Sequence, residues 1–74
     1  MNSVYKYIHF VCVGDTGKTK RYSIRNNRTH TELAVIAWYG PWREYAVNTR
    51  DGMVFNKGCL DDISDFLRQL KEER

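Results

Sequence analysis

The sequence predicts an α+β domain: an antiparallel four- to five-stranded meander sheet with one C-terminal α-helix packed on one face. Three observations predict it. Residues 33–47 read as two β-prone segments meeting at Gly40-Pro41, with Trp38, Tyr39, Trp42 and Tyr45 clustered around the turn. Tyr22 and Ile24 alternate with Arg21, Ser23 and Arg25, the period-two pattern of a half-buried strand. Leu60, Ile63, Phe66, Leu67 and Leu70 recur at helical spacing and form one apolar stripe. One stripe means one buried side, and the sheet is the surface that can bury it.

Residues 5–13 are rich in aromatic and β-branched side chains and read as the first strand. One parity holds Ile8, Phe10 and Cys12; the other holds Tyr5, Tyr7, His9, Val11 and Val13. Neither is plainly polar, so both faces are expected to meet something. Residues 14–18 form a turn, because Asp and Gly supply the backbone states that a hairpin needs. Residues 19–26 are the second strand, with Tyr22 and Ile24 inward. Residues 27–30 are a polar connection.

In the hairpin, a tight turn that pairs Tyr39 with Trp42 sets the register. Ile36 then faces Tyr45, Ala34 faces Val47 and Trp38 faces Arg43 on one side. Tyr39 with Trp42, Ala37 with Glu44 and Val35 with Ala46 fall on the other. Pro is disfavoured at the second central position of a type I turn, which leaves a cis bond or a longer loop as alternatives. Asp51-Gly52 is a second turn signal, and residues 53–55 are a candidate fifth edge strand. Asn56 suits a helix N-cap. Asp61, Asp62 and Asp65 lie toward the N-terminal end of the helix, and Arg68, Lys71 and Arg74 toward its C-terminal end, as the dipole favours.

The chain has 74 residues, of which 42% are hydrophobic and 28% charged, and it carries a net charge of +3. That composition is globular rather than disordered. The length predicts one domain over residues 1–74 that buries about 60–65% of its unfolded surface. It leaves no room for a dinucleotide-binding unit. Cys12 and Cys59 make no scaffold pattern and are expected to be free buried thiols in a reducing compartment. No apolar run approaches the ~18 residues of a membrane span, and the first residues lack a signal-peptide core. The expected location is cytoplasmic, with no membrane contact. Basic residues concentrate between Lys18 and Lys57 and acids outnumber them from Gly58 onward, which permits an anionic partner.

Three chemical readings fail on spacing. Gly14-Asp15-Thr16-Gly17-Lys18-Thr19 looks like a phosphate loop, but Cys12 stands where the first glycine belongs and a strand follows instead of a helix. His9, His30, Cys12 and Cys59 lack the close spacing of a zinc site. Asp61, Asp62 and Asp65 have no nucleophile or orienting base with them. The chain is therefore predicted not to be an enzyme and to hold no cofactor and no metal.

Ile36-Ala-Trp-Tyr-Gly-Pro-Trp-Arg-Glu-Tyr45, then Phe55-Asn56 and Cys59-Leu60-x-Asp62-Ile63-x-x-Phe66-Leu67, resemble a group of small uncharacterised bacterial and phage-borne proteins. These share a Trp-Tyr-x-Pro-Trp-Arg-x-Tyr block and a Cys-Leu-x-Asp-Ile-x-x-Phe block. Tyr22-x-Ile-x-Asn26-x-Arg28-Thr29 is similar to their earlier strand. The chain departs from them at Ala46-Val47-Asn48-Thr49, where aromatic residues and a proline are expected. The resemblance implies a stand-alone accessory protein and carries over no activity and no functional residues.

If the helix covers Ile8, Phe10, Tyr22, Ile24, Ile36, Trp38, Tyr45 and Val47, the opposite sheet face should carry an apolar centre with an aromatic and arginine-rich edge, a composition typical of interface hot spots. The candidate binding residues are Tyr7, His9, Arg21, Arg25, Tyr39, Trp42 and Arg43. The first functional expectation is a non-catalytic interaction module, a phage or mobile-element accessory that binds a protein partner or self-associates through its sheet. The alternative is a small nucleic-acid-binding protein. It would contact phosphates through Lys18, Lys20, Arg21, Arg25 and Arg28 and stack bases on Tyr39 or Trp42.

Overall fold

The structure, a computed structural model, describes residues 1–73. Strands β1 (Ile8–Asp15), β2 (Lys20–Asn26), β3 (Glu32–Tyr39) and β4 (Glu44–Thr49) form one antiparallel sheet in the order β1-β2-β3-β4, followed by helix α1 (Lys57–Glu73). This is the meander with one C-terminal helix that the patterning predicts, with four strands. Residues 53–55 are not a fifth strand. The chain leaves β4 through a turn at Asp51-Gly52, where Gly52 takes a positive φ of 76°. Phe55 then packs against the core, and Val54 stands in solvent.

The core lies between α1 and the sheet. Ile8, Phe10, Tyr22, Ile24, Ala34 and Ile36 face Cys59, Ile63, Phe66 and Leu70. Phe66 is fully buried; its ring stacks on Phe10 at 4.0 Å and meets Tyr22 edge-on at 4.9 Å. The buried helix positions differ from the predicted stripe at its start, for Leu60 is 54% exposed while Cys59 is buried. The sequence 59, 63, 66, 70 is the continuous helical row. Leu60 lies one residue, about 100° of helix, off it. Asn56 caps the helix as expected, its Oδ1 accepting the Cys59 N–H at 2.8 Å. The first turn contains no acid. Asp61 instead pairs with Lys57 at 2.8 Å, one turn on.

Three local features set the faces of the sheet. At the β1–β2 turn, Asp15 Oδ1 accepts the Gly17 N–H at 2.8 Å, and Gly17 takes a φ of 89°. In β3 the ladder pairs Ile24 with Ala34 but Arg25 with Glu32, so Leu33 is an extra residue that packs against the core. This bulge swings Glu32 to the face away from the helix. At the β3–β4 hairpin, Gly40–Trp42 forms a 3-10 turn that Arg43 closes in a left-handed conformation, φ 53°. The longer loop, not the two-residue turn, is what forms. It moves the expected register by two residues, so that Ile36 faces Val47 and Trp38 faces Tyr45. An even shift keeps every side chain on its face.

β1 begins at Ile8, not at residue 5, because the chain bends at Lys6-Tyr7 and folds back along its own edge. The Tyr5 N–H bonds to the Ile8 carbonyl, Val4 bridges to His9, and the Phe10 N–H bonds to the Ser3 carbonyl. The hook is fastened to α1: the Tyr5 hydroxyl donates to Asp65 Oδ2 at 2.8 Å and accepts from Gln69 Nε2 at 2.9 Å. Gln69 Oε1 in turn accepts the Asn2 N–H. Burial, and then the neighbouring Asp65 carboxylate, push the Tyr5 hydroxyl up to about 12. Arg68 and then Tyr5 hold the Asp65 carboxyl below its usual range.

Candidate interaction surface

The seven candidate residues do not form one patch. β3 spans roughly 24 Å at ~3.4 Å per residue, and the candidates gather at its two ends. Tyr7, His9 and Arg25 lie at the end where β1 and β3 begin. Arg21, Tyr39, Trp42 and Arg43 lie at or toward the hairpin tip.

At the first end the side chains are committed to the fold. His9 Nδ1 meets Asn27 Oδ1 at 2.7 Å, and Asn27 Nδ2 donates to the Tyr5 carbonyl at 2.8 Å. That second bond fixes the amide orientation, so Nδ1 of His9 carries the proton. The His9 ring also meets His30 edge-on at 5.6 Å. Its place is to pin the β2–β3 connection to the amino-terminal hook. Tyr7 is exposed, with the Lys6 ammonium over its ring at 5.2 Å, and its carbonyl accepts the Asn27 N–H.

Beside His9 the open face is polar, for Arg25 stands directly across from His9, Glu32 opens β3 and Arg50 follows β4, whereas Val11, Val35, Ala37 and Ala46 share this face farther toward the tip. Arg25 Nε donates to Ser23 Oγ at 3.1 Å, and Ser23 donates to Glu32 Oε2. Glu32 Oε1 accepts from Arg50 Nε at 2.8 Å. Ser23 is fully buried beneath these side chains. Its hydrogen bond and that of Arg50 hold the Glu32 carboxyl below its usual range. Sequence reading missed Ser23, Glu32 and Arg50 because Glu32 has the wrong parity until the Leu33 bulge is known. Arg25 is thus a member of this network rather than a free cation.

The hairpin tip has the opposite character. Trp42 is 67% exposed and its ring meets Tyr39, 44% exposed, edge-on at 4.9 Å. The 3-10 turn is the cause: it takes Trp42 out of the ladder and stands it beside Tyr39. On the helix side of the same tip, Trp38 and Tyr45 meet edge-on at 5.4 Å. A groove of about 490 Å³ lies between tip and helix. Trp38, Arg43, Tyr45, Leu67, Arg68 and Lys71 are among its walls. The sequence places Trp38 and Tyr45 beneath the helix, but both are only half-buried. Cys12, expected to be buried, is exposed.

Among the described residues, no three His, Cys, Asp or Glu side chains group closely enough to hold a metal ion. No helix of the described residues is long and apolar enough to cross a membrane. No family model and no solved structure matches the chain. An uncharacterised 9.3 kDa protein of Acholeplasma phage L2 is 38% identical to it over 71 residues, which cover 93% of this chain and 90% of the phage protein. At that identity and coverage the chain belongs to the same family as this phage protein.

Proposed function

We propose that the chain is a non-catalytic interaction module, a phage or mobile-element accessory protein, and that it engages a protein partner through the β3–β4 tip. The exposed Trp42–Tyr39 pair carries this reading. Trp, Tyr and Arg dominate the binding energy of protein interfaces, and here Trp42 and Tyr39 stand together at the tip while Arg43 lines a groove on its helix side. The nucleic-acid reading has less support, because Arg25 is tied to Ser23 and the Glu32 carboxylate stands beside it on the open face.

The test is comparative capture from phage-infected cells, with wild-type chain and Trp42→Ala as baits and matched melting curves for the two. A specific protein held by the wild type and lost by the variant is the expected result. Identical captured sets for both baits, or binding only to nucleic acid that weakens steeply with salt, would count against the proposal.

A further inference from the structure

The two edges of the sheet are treated differently. β1 is covered where Ser3 and Val4 pair with Phe10 and His9, and its ladder carries a bulge between Cys12 and Gly14. β4 has none of the devices that blunt an edge: no Lys, no Pro and no register shift from Glu44 to Thr49. The Arg50 N–H bonds to the Leu33 carbonyl, which makes Leu33 and Arg50 a hydrogen-bonded pair. Because such pairs alternate along an antiparallel ladder, Tyr45, Val47 and Thr49 turn their N–H and C=O groups away from β3. Among the described residues, no backbone group of another segment bonds to them.

We propose that β4 pairs antiparallel with β4 of a second copy of this chain, about a two-fold axis at Val47. In that register Val47 faces Val47 of the other copy and Tyr45 faces Thr49, so every outward N–H meets a carbonyl. Ala46 faces Asn48, and Glu44 faces Arg50, whose guanidinium also bonds Glu32 of its own chain. The last pair sets opposite charges directly across the junction, twice by symmetry. Sliding the copies by one ladder step in either direction puts Glu44 against Asn48 or Gly52 and loses both pairs. This self-complementarity is what selects a second copy over an unrelated strand. The strand edge is a different surface from the hairpin tip, so either proposal can fail while the other stands.

Sedimentation velocity of the full chain, from low micromolar to near-millimolar concentration, tests the pairing. The wild type should pass from monomer to dimer. Glu44→Arg, at an exposed position, should keep the circular dichroism and melting curve of the wild type and weaken dimerisation roughly tenfold or more. Arg50→Glu also gives up the ion pair with Glu32, so it is taken under conditions where its circular dichroism matches the wild type; there it should weaken dimerisation likewise, and an equimolar mixture of the two variants should dimerise again, because mixing restores both cross-strand pairs. A wild type that stays monomeric throughout overturns the proposal. So does a dimer indifferent to Glu44→Arg, or a mixture that fails to recover.

Discussion

Replacing Phe66 with Ala tests the packing on which the fold rests. The ring is fully buried, stacked on Phe10 at 4.0 Å with its planes 5° apart, and met edge-on by Tyr22 at 4.9 Å. Truncating a buried Phe costs about 3–5 kcal/mol, from lost transfer energy and the cavity left behind. A domain of this size has a total stability of roughly 4–11 kcal/mol. The substitution therefore removes between about a quarter and all of it, and the melting temperature should fall by about 12 °C or more. Leu60→Ala is the control. Leu60 belongs to the same apolar pattern in sequence but is 54% exposed, so its loss should change stability by no more than about 0.5 kcal/mol. Urea unfolding followed by circular dichroism measures both. Equal costs for Leu60→Ala and Ile63→Ala, or a Phe66→Ala cost below about 1 kcal/mol, would show that α1 is rotated from the orientation described.

Tyr5→Phe removes the hydroxyl that ties the amino-terminal hook to Asp65 and Gln69, and it should cost about 1 kcal/mol near neutral pH. Folding raises the Tyr5 hydroxyl from 10.0 to about 12, so its protonated form is the stabilising one. That contribution is whole below pH 10 and is lost as pH rises toward 12. Wild type and variant should therefore converge in stability over this alkaline window, read by urea melts at stepped pH. Arg43→Gly should raise stability by about 0.5 kcal/mol in thermal melts, because Arg43 sits at φ 53°, a conformation that costs an L-residue more than glycine. Thiol titration should find one fast-reacting group, the exposed Cys12, with Cys59 reacting only on unfolding.

Side-chain parity was the most legible feature of the sequence. Period-two alternation placed Ile8, Phe10, Tyr22, Ile24 and Ile36 on the helix side, where the structure has them. Parity survived even the wrong hairpin register, since the longer loop moved the ladder by two residues. What local pattern does not encode is whether one extra residue enters a strand. The Leu33 bulge has no composition signal, yet it moves Glu32 to the opposite face and creates the Arg25–Ser23–Glu32–Arg50 network. The hook at Tyr5 was illegible for a related reason. Its residues are as β-prone as the strand that follows, and only the tertiary bonds to Asp65 and Gln69 decide where the strand begins.

These two features move the interaction capacity of the molecule from the face of the sheet to its margins. Apolar residues on both parities of β1 suggest a sheet with two sticky faces. The structure instead covers the end of the open face where β3 begins with a hydrogen-bonded polar chain over a buried serine. Breaking that chain to dock a flat apolar partner would strand a carboxylate that Ser23 and Arg50 now satisfy, a cost that face-on contact has to exceed. Docking at the tip carries no such cost, and pairing at the β4 edge calls only on Arg50, which already bonds Glu32. Trp42 and Tyr39 are already exposed, and the outward amides of Tyr45, Val47 and Thr49 exchange water for a partner strand. In a chain whose one helix covers one face and whose hook guards one edge, partners are expected at the places neither of them reaches.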